Sequence, residues 1–286
     1  MSDAMRGAET GAMTNAGEPA GPGVHVRSFV ARNQATQSEN RIHSDDVARQ
    51  YGFRGGLVPG VTSYAYIADT VFDVLGVDWL RSGRLSVRCA LPVYDGDGVR
   101  VVFDPSTGAA TLADSGGVGC VEGRAGADPV VTDPASAVLG IGATDGPATP
   151  HDRPPADERS LAEGTVLGTL RYHFSLERQA ENLAEINIDP ARFTAAGLAH
   201  PGYLIRDANS ALALNVALGP WIHVGSDTSL LGNISDGADV EVRSRVRSRY
   251  ERKGHAFVEL DVVTLADGVV ASHVHHTSIY RPRVVR

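Results

Sequence analysis

Two Pro-Gly pairs, Pro59-Gly60 and Pro201-Gly202, each stand at the start of an amphipathic segment that is followed by strand-like runs. Residues 61–75 carry apolar side chains at the i, i+3, i+4 and i+7 spacing of a helix with one buried face, and residues 203–218 have a similar pattern. Superposing the two pairs aligns both helices and the strands behind them. The sequence therefore predicts an internal repeat of roughly 140 residues.

Strands are indicated on both sides of each helix by alternation of apolar and polar residues between Gly-rich turns. The region between residue 174 and the second helix is irregular in pattern, and no strand is predicted between that helix and residue 238. The predicted strands cover residues 24–33, 85–91, 99–103, 108–122, 169–174, 238–250, 255–265 and 269–281. Because short turns join most of them, the pairing is expected to be antiparallel.

The length of 286 residues suits two modules of similar size. Residues 1–23 are rich in Gly, Ala and Pro and are expected to be a disordered tail, and residues 127–163 lack periodicity and are expected to be a linker. The predicted modules are residues 24–126 and 164–286.

Charge and cysteine content restrict the class of partner. The formal net charge is −8, so the protein has no overall electrostatic attraction for nucleic acid. No apolar run is long enough for a membrane span, and the first residues do not resemble a signal peptide. Cys89 and Cys120 have no CxxC spacing, which fits a reducing compartment. We expect a cytoplasmic protein without a nucleic-acid or membrane partner.

Two clusters of basic residues are candidates for binding a cofactor or a metal ion. Four arginines between residues 243 and 249 would share one strand face and could meet an anionic cofactor, but a solvated strand face is the favoured interpretation. His273 and His275 would also share a face, with His276 beside them, yet no third ligand stands at matching spacing. Neither a metal nor another cofactor is predicted.

The most informative segment runs from Ser38 to Asp45, Ser-Glu-Asn-Arg-Ile-His-Ser-Asp, and precedes Pro59-Gly60. It resembles the segment Asp-x-Asn-Pro-hydrophobic-His-x-Asp, followed by His-Gly at the start of a central helix, of MaoC-like dehydratases and (R)-specific enoyl-CoA hydratases. The resemblance implies an α+β double hotdog, in which two antiparallel sheets each wrap around a central helix. It also implies an acyl-CoA or acyl-carrier thioester as the substrate and enoyl hydration or dehydration as the reaction.

The sequence departs from that family at three positions. Ser38 stands where the family has its catalytic Asp, Arg41 where it has Pro, and Pro59 where it has His. A serine cannot act as a carboxylate acid or base, so hydratase activity would need another proton donor. Glu39, Asp45 and Asp46 are the candidates.

Enoyl hydration needs a base for the water, an acid for the α-carbon and donors that polarise the carbonyl. His43 has a suitable pKa for the base, and Asn40 could hold the water or orient the imidazole. The amide of Gly60 at the helix start could polarise the carbonyl. The expected catalytic residues are thus His43, Asn40, Glu39 and Gly60, and the expected substrate-binding residues are Ser38, Asp45, Pro59 and Tyr64. The alternative is that Asn40 and His43 only cap the following helix.

Other functions stay open at this point. The protein could be a hotdog enzyme with an altered site, such as a thioesterase, an isomerase or a cyclase. A thioesterase would need Asp69 or Asp207 to face the ligand. A non-catalytic acyl-thioester-binding subunit is another. The second helix carries a polar cluster of Arg206, Asp207, Asn209 and Ser210, which either reaches a ligand or pairs internally. The chain is expected to act alone or as a homodimer.

Overall fold

Ten strands form one continuous antiparallel sheet in the computed structural model, which describes residues 23–127 and 146–284. The N-terminal half contributes β1 to β5 and the C-terminal half β6 to β10. The strands are β1 His25–Val30, β2 Arg84–Cys89, β3 Gly98–Asp104, β4 Ala109–Asp114, β5 Gly119–Gly126, β6 Leu170–His173, β7 Ile222–Leu230, β8 Asp239–Arg252, β9 His255–Ala266 and β10 Val269–Arg281. The helices are α1 Asp45–Gln50, α2 Gly60–Ser82, α3 Leu176–Glu185, α4 Ala191–Ala196 and α5 Gly202–Ala213.

The two halves of the sheet join at one strand pair. The strand order is β1-β3-β4-β5-β2-β7-β10-β9-β8-β6, so β2 and β7 are the central neighbours. They pair antiparallel from Arg84 opposite Ser229 to Arg88 opposite Gly225. Each half is therefore a set of five strands, and backbone hydrogen bonds make the two sets one sheet.

One long helix packs against each half of the sheet. Helix α2 contacts β1 to β5 and β7, and α5 contacts β8, β9 and β10. Along α2, every residue from Thr62 to Phe72 is buried, because the sheet covers one side and the second half of the chain covers the other. Gly76 has a φ of 67° and interrupts the helix, where the predicted apolar stripe of residues 61–75 ends. The predicted double-hotdog architecture is confirmed.

A buried ion cluster also ties the halves together. Asp69 of α2 is wholly buried, and its carboxylate accepts hydrogen bonds from Arg27 of β1 and from Arg192 of α4, the latter at 2.6 Å. Both arginines also pair with Asp73 one turn further along the helix. A buried carboxylate needs such partners because desolvation of an unpaired charge is costly.

The structure corrects the sequence interpretation in four places. The single strand predicted at 108–122 is the antiparallel pair β4 and β5, with residues 115–118 between them. Strand β7 lies where no strand was predicted, and it is the strand that links the two halves. Helices α3 and α4 occupy the region that appeared irregular. Helix α5 ends at Ala213, five residues before the predicted end, because the following segment turns back to contact residues 154–156.

Part of the predicted linker belongs to the folded protein. Among its described residues, 127 and 146–163, Leu161 is fully buried and Ala156 donates a backbone hydrogen bond to Ala217. The other linker residues, from 128 to 145, and the predicted tail except Gly23 lie outside the described residues. The module boundaries stay a prediction.

The arginines of β8 are engaged with carboxylates. Arg243 donates to Glu241 at 2.7 Å, Arg245 and Arg247 lie near Asp261, and Arg249 lies near Glu158. The cluster thus pairs with carboxylates within the protein, and Arg243 is buried, so the face is less solvated than the sequence interpretation favoured. In the part of the chain that the structure describes, no helix combines the length and apolar character needed to cross a membrane.

Candidate active site

Two cavities meet at the boundary between the halves. A polar cavity of about 370 Å³ is bordered by the 34–43 turn, the start of α2 and one face of α5. An apolar cavity of about 220 Å³ lies on the other side. His43, Gly60 and His223 line both. The polar cavity is further lined by Ser38, Asn40, Arg153, Arg206, Asn209 and Ser210, and the apolar cavity by Ile42, Phe53, Leu57, Val58, Val93 and Ile222.

The turn that carries His43 is fixed by its neighbours. Residues Arg41–His43 form a single 3-10 turn, and Asn40 caps it by accepting a hydrogen bond from the Ile42 amide at 3.4 Å. Ile42 is fully buried and anchors the turn in the core. The side chains of Asn40 and His43 therefore project from an immobilised backbone toward the cavity.

Asn40 connects this turn to the other half of the chain. Its Oδ1 accepts from the backbone amide of Trp221 at 3.1 Å, and its Nδ2 donates to the Trp221 carbonyl at 2.9 Å. These two bonds determine which way the amide group faces. The Nδ2 group is consequently the one that lies 3.2 Å from His43 Nε2.

That orientation determines the tautomer of His43. Since Asn40 donates toward Nε2, Nε2 carries the lone pair, and the proton resides on Nδ1, which donates to the Leu57 carbonyl at 2.7 Å. Burial lowers the pKa of His43 below 6.5, against a smaller opposite effect of the Leu57 bond. At neutral pH the ring is therefore a neutral imidazole with a basic Nε2.

Gly60 is the first residue of α2, where amide groups have no intrahelical acceptor and the helix dipole favours negative charge. A side chain is excluded there. A Cβ on Gly60 would lie 2.6 Å from Nδ1 of His223 and 3.1 Å from the His223 carbonyl oxygen. The glycine thus allows a backbone amide to lie directly beside the His223 ring.

The structure brings most of the predicted site residues together. Ser38, Glu39, Asn40, His43, Pro59 and Gly60 all line the polar cavity. Ser38 donates to the Asn40 carbonyl at 3.2 Å. Glu39 has a side chain that is 82% exposed and pairs with Arg153 at 2.9 Å, which places its carboxylate at the rim.

Asp45, Asp46 and Tyr64 lie elsewhere, so the structure corrects their predicted placement. Asp45 accepts from the Gly56 amide at 2.8 Å and pairs with Arg49, which supports the loop before α2. Asp46 is largely exposed. Tyr64 is wholly buried in the core, which raises its pKa. None of the three lines either cavity.

The polar cluster of α5 divides between the cavity and the interior. Arg206, Asn209 and Ser210 line the polar cavity, and the Asn209 carbonyl oxygen is buried without a hydrogen-bond partner among the described residues. Asp207 points away and accepts from the Tyr172 hydroxyl at 2.8 Å, and burial raises its pKa to about 7. Asp69 is held by its two arginines. Neither carboxylate that a thioesterase would require lines the two cavities.

His223 is a site residue that the sequence analysis did not single out. It lies near the start of β7, is 5% exposed, and its Nδ1 has no hydrogen-bond partner within the described parts of the chain. Burial lowers the pKa of His223 to about 4, with the Gly225 backbone acting weakly in the opposite direction. The apolar residues at positions 221, 222 and 224 were the available signal for β7, but the Gly-Ser-Asp-Thr sequence after them resembles a turn.

Behind His223 lies a buried polar chain. Its Nε2 is 2.8 Å from Ser226 Oγ, which is 3.0 Å from Nδ1 of His276, and Nε2 of His276 is 3.1 Å from Ser278 Oγ. The rings of His223 and His276 stack at 4.6 Å. His276 therefore faces the interior, whereas His273 and His275 pair with carboxylates on the opposite face. Over the described ranges, no group of three or more potential ligands could hold a metal ion.

The second Pro-Gly pair does not form a second site of this kind. His200 is completely buried, accepts a hydrogen bond from the Gly202 amide at 2.9 Å and packs its ring against Phe193. Burial lowers its pKa to about 3. It lines neither cavity, so the C-terminal half contributes walls to the site around His43.

Comparison with known proteins relates this architecture to solved structures. The chain matches no protein-family model, and no curated sequence matches it significantly. A conserved hypothetical protein of Mycobacterium tuberculosis with a double hotdog fold is similar, with a TM-score of 0.59 and 15% identity over 87% of this chain and 93% of that one.

Two further structures carry different functional descriptions. A putative MaoC domain protein dehydratase from Chloroflexus aurantiacus has a TM-score of 0.56 and 10% identity, over 90% of this chain and 95% of that one. A putative oleoyl thioesterase from Lactobacillus plantarum has a TM-score of 0.53 and 11% identity, over 92% and 97% respectively. At these identities the likeness concerns the fold, and the chain has the double hotdog fold that it shares with MaoC-like dehydratases.

Proposed function

We propose that the protein is an acyl-thioester hydratase or dehydratase that adds water reversibly to a 2-enoyl thioester. The observation that carries this proposal is the position of His43 and Gly60 at the junction of the two cavities. The imidazole of His43 and the amide at the start of α2 belong to residues that line both cavities, and we place the thioester between them. The acyl chain occupies the apolar side, and the carrier arm leaves through the polar side.

The cavity walls suit the two ends of such a substrate. Aliphatic and aromatic side chains line the apolar cavity, which favours a hydrocarbon chain. Arg153 and Arg206 line the polar cavity and favour a phosphorylated carrier. The side-chain oxygen Oδ1 of Asn209, which has no hydrogen-bond partner among the described residues, provides an acceptor for an amide of a pantetheine arm.

The proposed reaction uses one base and one set of carbonyl donors. A water at His43 Nε2 replaces the 3.2 Å contact with Asn40 and loses its proton to Nε2 as its oxygen bonds to the β-carbon. The π electrons move to the carbonyl oxygen, where the Gly60 amide stabilises the enolate. The imidazolium then returns the proton to the α-carbon, so that His43 ends neutral and the α,β double bond has gained one water.

This scheme does not need a carboxylate at position 38. Ser38 instead holds the Asn40 backbone, and the Leu57 carbonyl keeps the imidazole proton on Nδ1 when water replaces Asn40 at Nε2. Glu39, at the exposed rim beside Arg153, has a supporting role in carrier binding. No separate carboxylic acid is needed, because His43 delivers to the α-carbon the proton that it has taken from the water.

The test is hydration of a short and a medium trans-2-enoyl-CoA, followed by loss of the enoyl absorbance. His43→Ala should lower kcat by about 10²-fold or more because the general base is lost. His151→Ala is the matched control, since His151 is 99% exposed and lines neither cavity. Absence of hydration by the wild-type protein with both substrates removes the proposal, and release of free thiol in its place would identify a thioesterase.

A further inference from the structure

The buried polar chain behind the site can be polarised in either of two directions, one of which ends at the cavity. His223 Nε2, Ser226 Oγ, His276 and Ser278 Oγ are joined by contacts of 2.8, 3.0 and 3.1 Å. Each serine has one proton to donate, and each neutral imidazole has one donor and one acceptor nitrogen. If each hydroxyl donates toward the cavity, Ser278 donates to His276, His276 to Ser226, and Ser226 to His223 Nε2.

In that arrangement the last proton of the chain is on His223 Nδ1. This nitrogen is buried, has no hydrogen-bond partner among the described residues, and packs against the Gly60 backbone. His223 and Gly60 are both lining residues of the two cavities. An unmet donor in such a position costs free energy in the unliganded protein. A ligand oxygen at the cavity junction would satisfy it.

We infer that His223 is a second carbonyl donor of the active site, with Nδ1–H and the Gly60 amide binding the same thioester oxygen. This inference rests on the proposed function, since it assumes an acyl thioester at the junction. Ser226 and His276 are positioning residues, because they touch His223 and not the substrate.

The protonation state of His223 suits this role. Burial keeps its pKa near 4, so the ring is neutral at pH 7 and donates a hydrogen bond without donating its proton. A neutral His223 stabilises the enolate oxygen by a hydrogen bond and keeps its own proton. No proton therefore has to return through Ser226 and His276. His43 and His223 thus have separate tasks, proton transfer at the α- and β-carbons and polarisation of the carbonyl.

Two substitutions separate donation from packing. His223→Leu fills part of the space without a donor, and His223→Asn places an amide nitrogen close to the position of Nδ1. Removal of one such donor should lower kcat about 10²-fold, with a small change in KM. The His223→Asn protein should recover a large part of that loss, which a purely structural role for the ring would not produce.

A spectroscopic readout tests the same contact without turnover. Cinnamoyl-CoA absorbs at longer wavelength when its carbonyl is polarised, so the wild-type protein should shift its absorption to the red. The shift should be largely lost in His223→Leu, reduced in Ser226→Ala and retained in His43→Ala. Thermal unfolding of each variant identifies those that are folded.

The outcomes distinguish this inference from the proposed function. Hydration that persists in a folded His223→Leu protein with an unchanged red shift overturns the role of His223 and leaves the hydratase proposal standing. A wild-type protein that shifts the probe through His223 but hydrates no enoyl-CoA supports the donor and removes the hydratase. The absence of any red shift with wild-type protein also overturns the inference.

Discussion

Substitution of Gly60 by alanine should affect stability modestly and activity strongly. The added Cβ would lie 2.6 Å from Nδ1 and 3.1 Å from the carbonyl oxygen of His223. The ring cannot simply rotate away, because Ser226 holds it at 2.8 Å and His276 stacks on it. Either β7 or the start of α2 must shift.

The expected free-energy change follows from two opposing contributions. Overpacking of this kind costs about 1–3 kcal/mol. Alanine in place of glycine returns up to about 1 kcal/mol of helix propensity, and less at a first helical position. The free energy of unfolding should therefore fall by about 1–2 kcal/mol, which for a chain of this size lowers Tm by roughly 2–4 °C.

Activity should fall further than stability. A shift of the order of 1 Å between the Gly60 amide, the His223 ring and the substrate carbonyl can cost about 10²-fold in rate. The assays are thermal unfolding by circular dichroism and enoyl-CoA hydration. Gly98→Ala is the matched control, because a Cβ at Gly98 meets no atom within 4 Å. A Gly60→Ala protein with unchanged Tm and full activity would refute the close contact with His223.

Two further predictions concern pH. Asn40→Asp places a carboxylate beside Nε2 of His43, which should raise the pKa of that imidazole and move the acidic limb of kcat/KM, expected below pH 6.5 in the wild type, to higher pH by about one unit. Asn40→Ala, which adds no charge, should not move the limb upward, and an unmoved limb in Asn40→Asp contradicts the contact. Asp207 has a folded pKa of about 7, above its ordinary value of 3.8, so its stabilising effect is complete below pH 3.8 and is lost as the pH rises through 7. Asp207→Asn should thus raise Tm relative to wild type more at pH 9 than at pH 5, whereas equal differences at the two pH values would show that Asp207 is not protonated in the folded protein.

The site is asymmetric although the fold is repeated. Gly60 and Gly202 both begin a long helix, but the ring beside Gly60 comes from the other half, whereas the ring beside Gly202 is that of His200 on the same turn. His200 is sealed in the core by Phe193 and Gln179. One half therefore supplies the basic turn, and the other supplies a wall and the buried polar chain.

Strand alternation, Gly-rich turns and helical periodicity are local properties of the sequence. They were sufficient to predict the repeat, both long helices and most strands. The strand predicted at 269–281 has the observed bounds of β10. Strand β7 was missed because its small polar residues lie buried in the sheet, and burial of Ser226 and Thr228 depends on neighbours that are far away in sequence. Helices α3 and α4 were missed because few of their residues are buried: Gln179 and Leu183 in α3, and Phe193 in the six residues of α4.

Local patterns and the resemblance of residues 38–45 to MaoC-like dehydratases were enough to predict the double hotdog fold and the cluster of Asn40, His43 and Gly60, because residues close in sequence form the turn and the helix start. The chemistry of that cluster follows from contacts between distant parts of the chain. The tautomer of His43 depends on Trp221, which lies 181 residues from Asn40, and the surroundings of Gly60 depend on His223. Hydrogen-bond direction, burial and pKa arise from atoms in three-dimensional contact, and no local pattern encodes which distant strand will supply them.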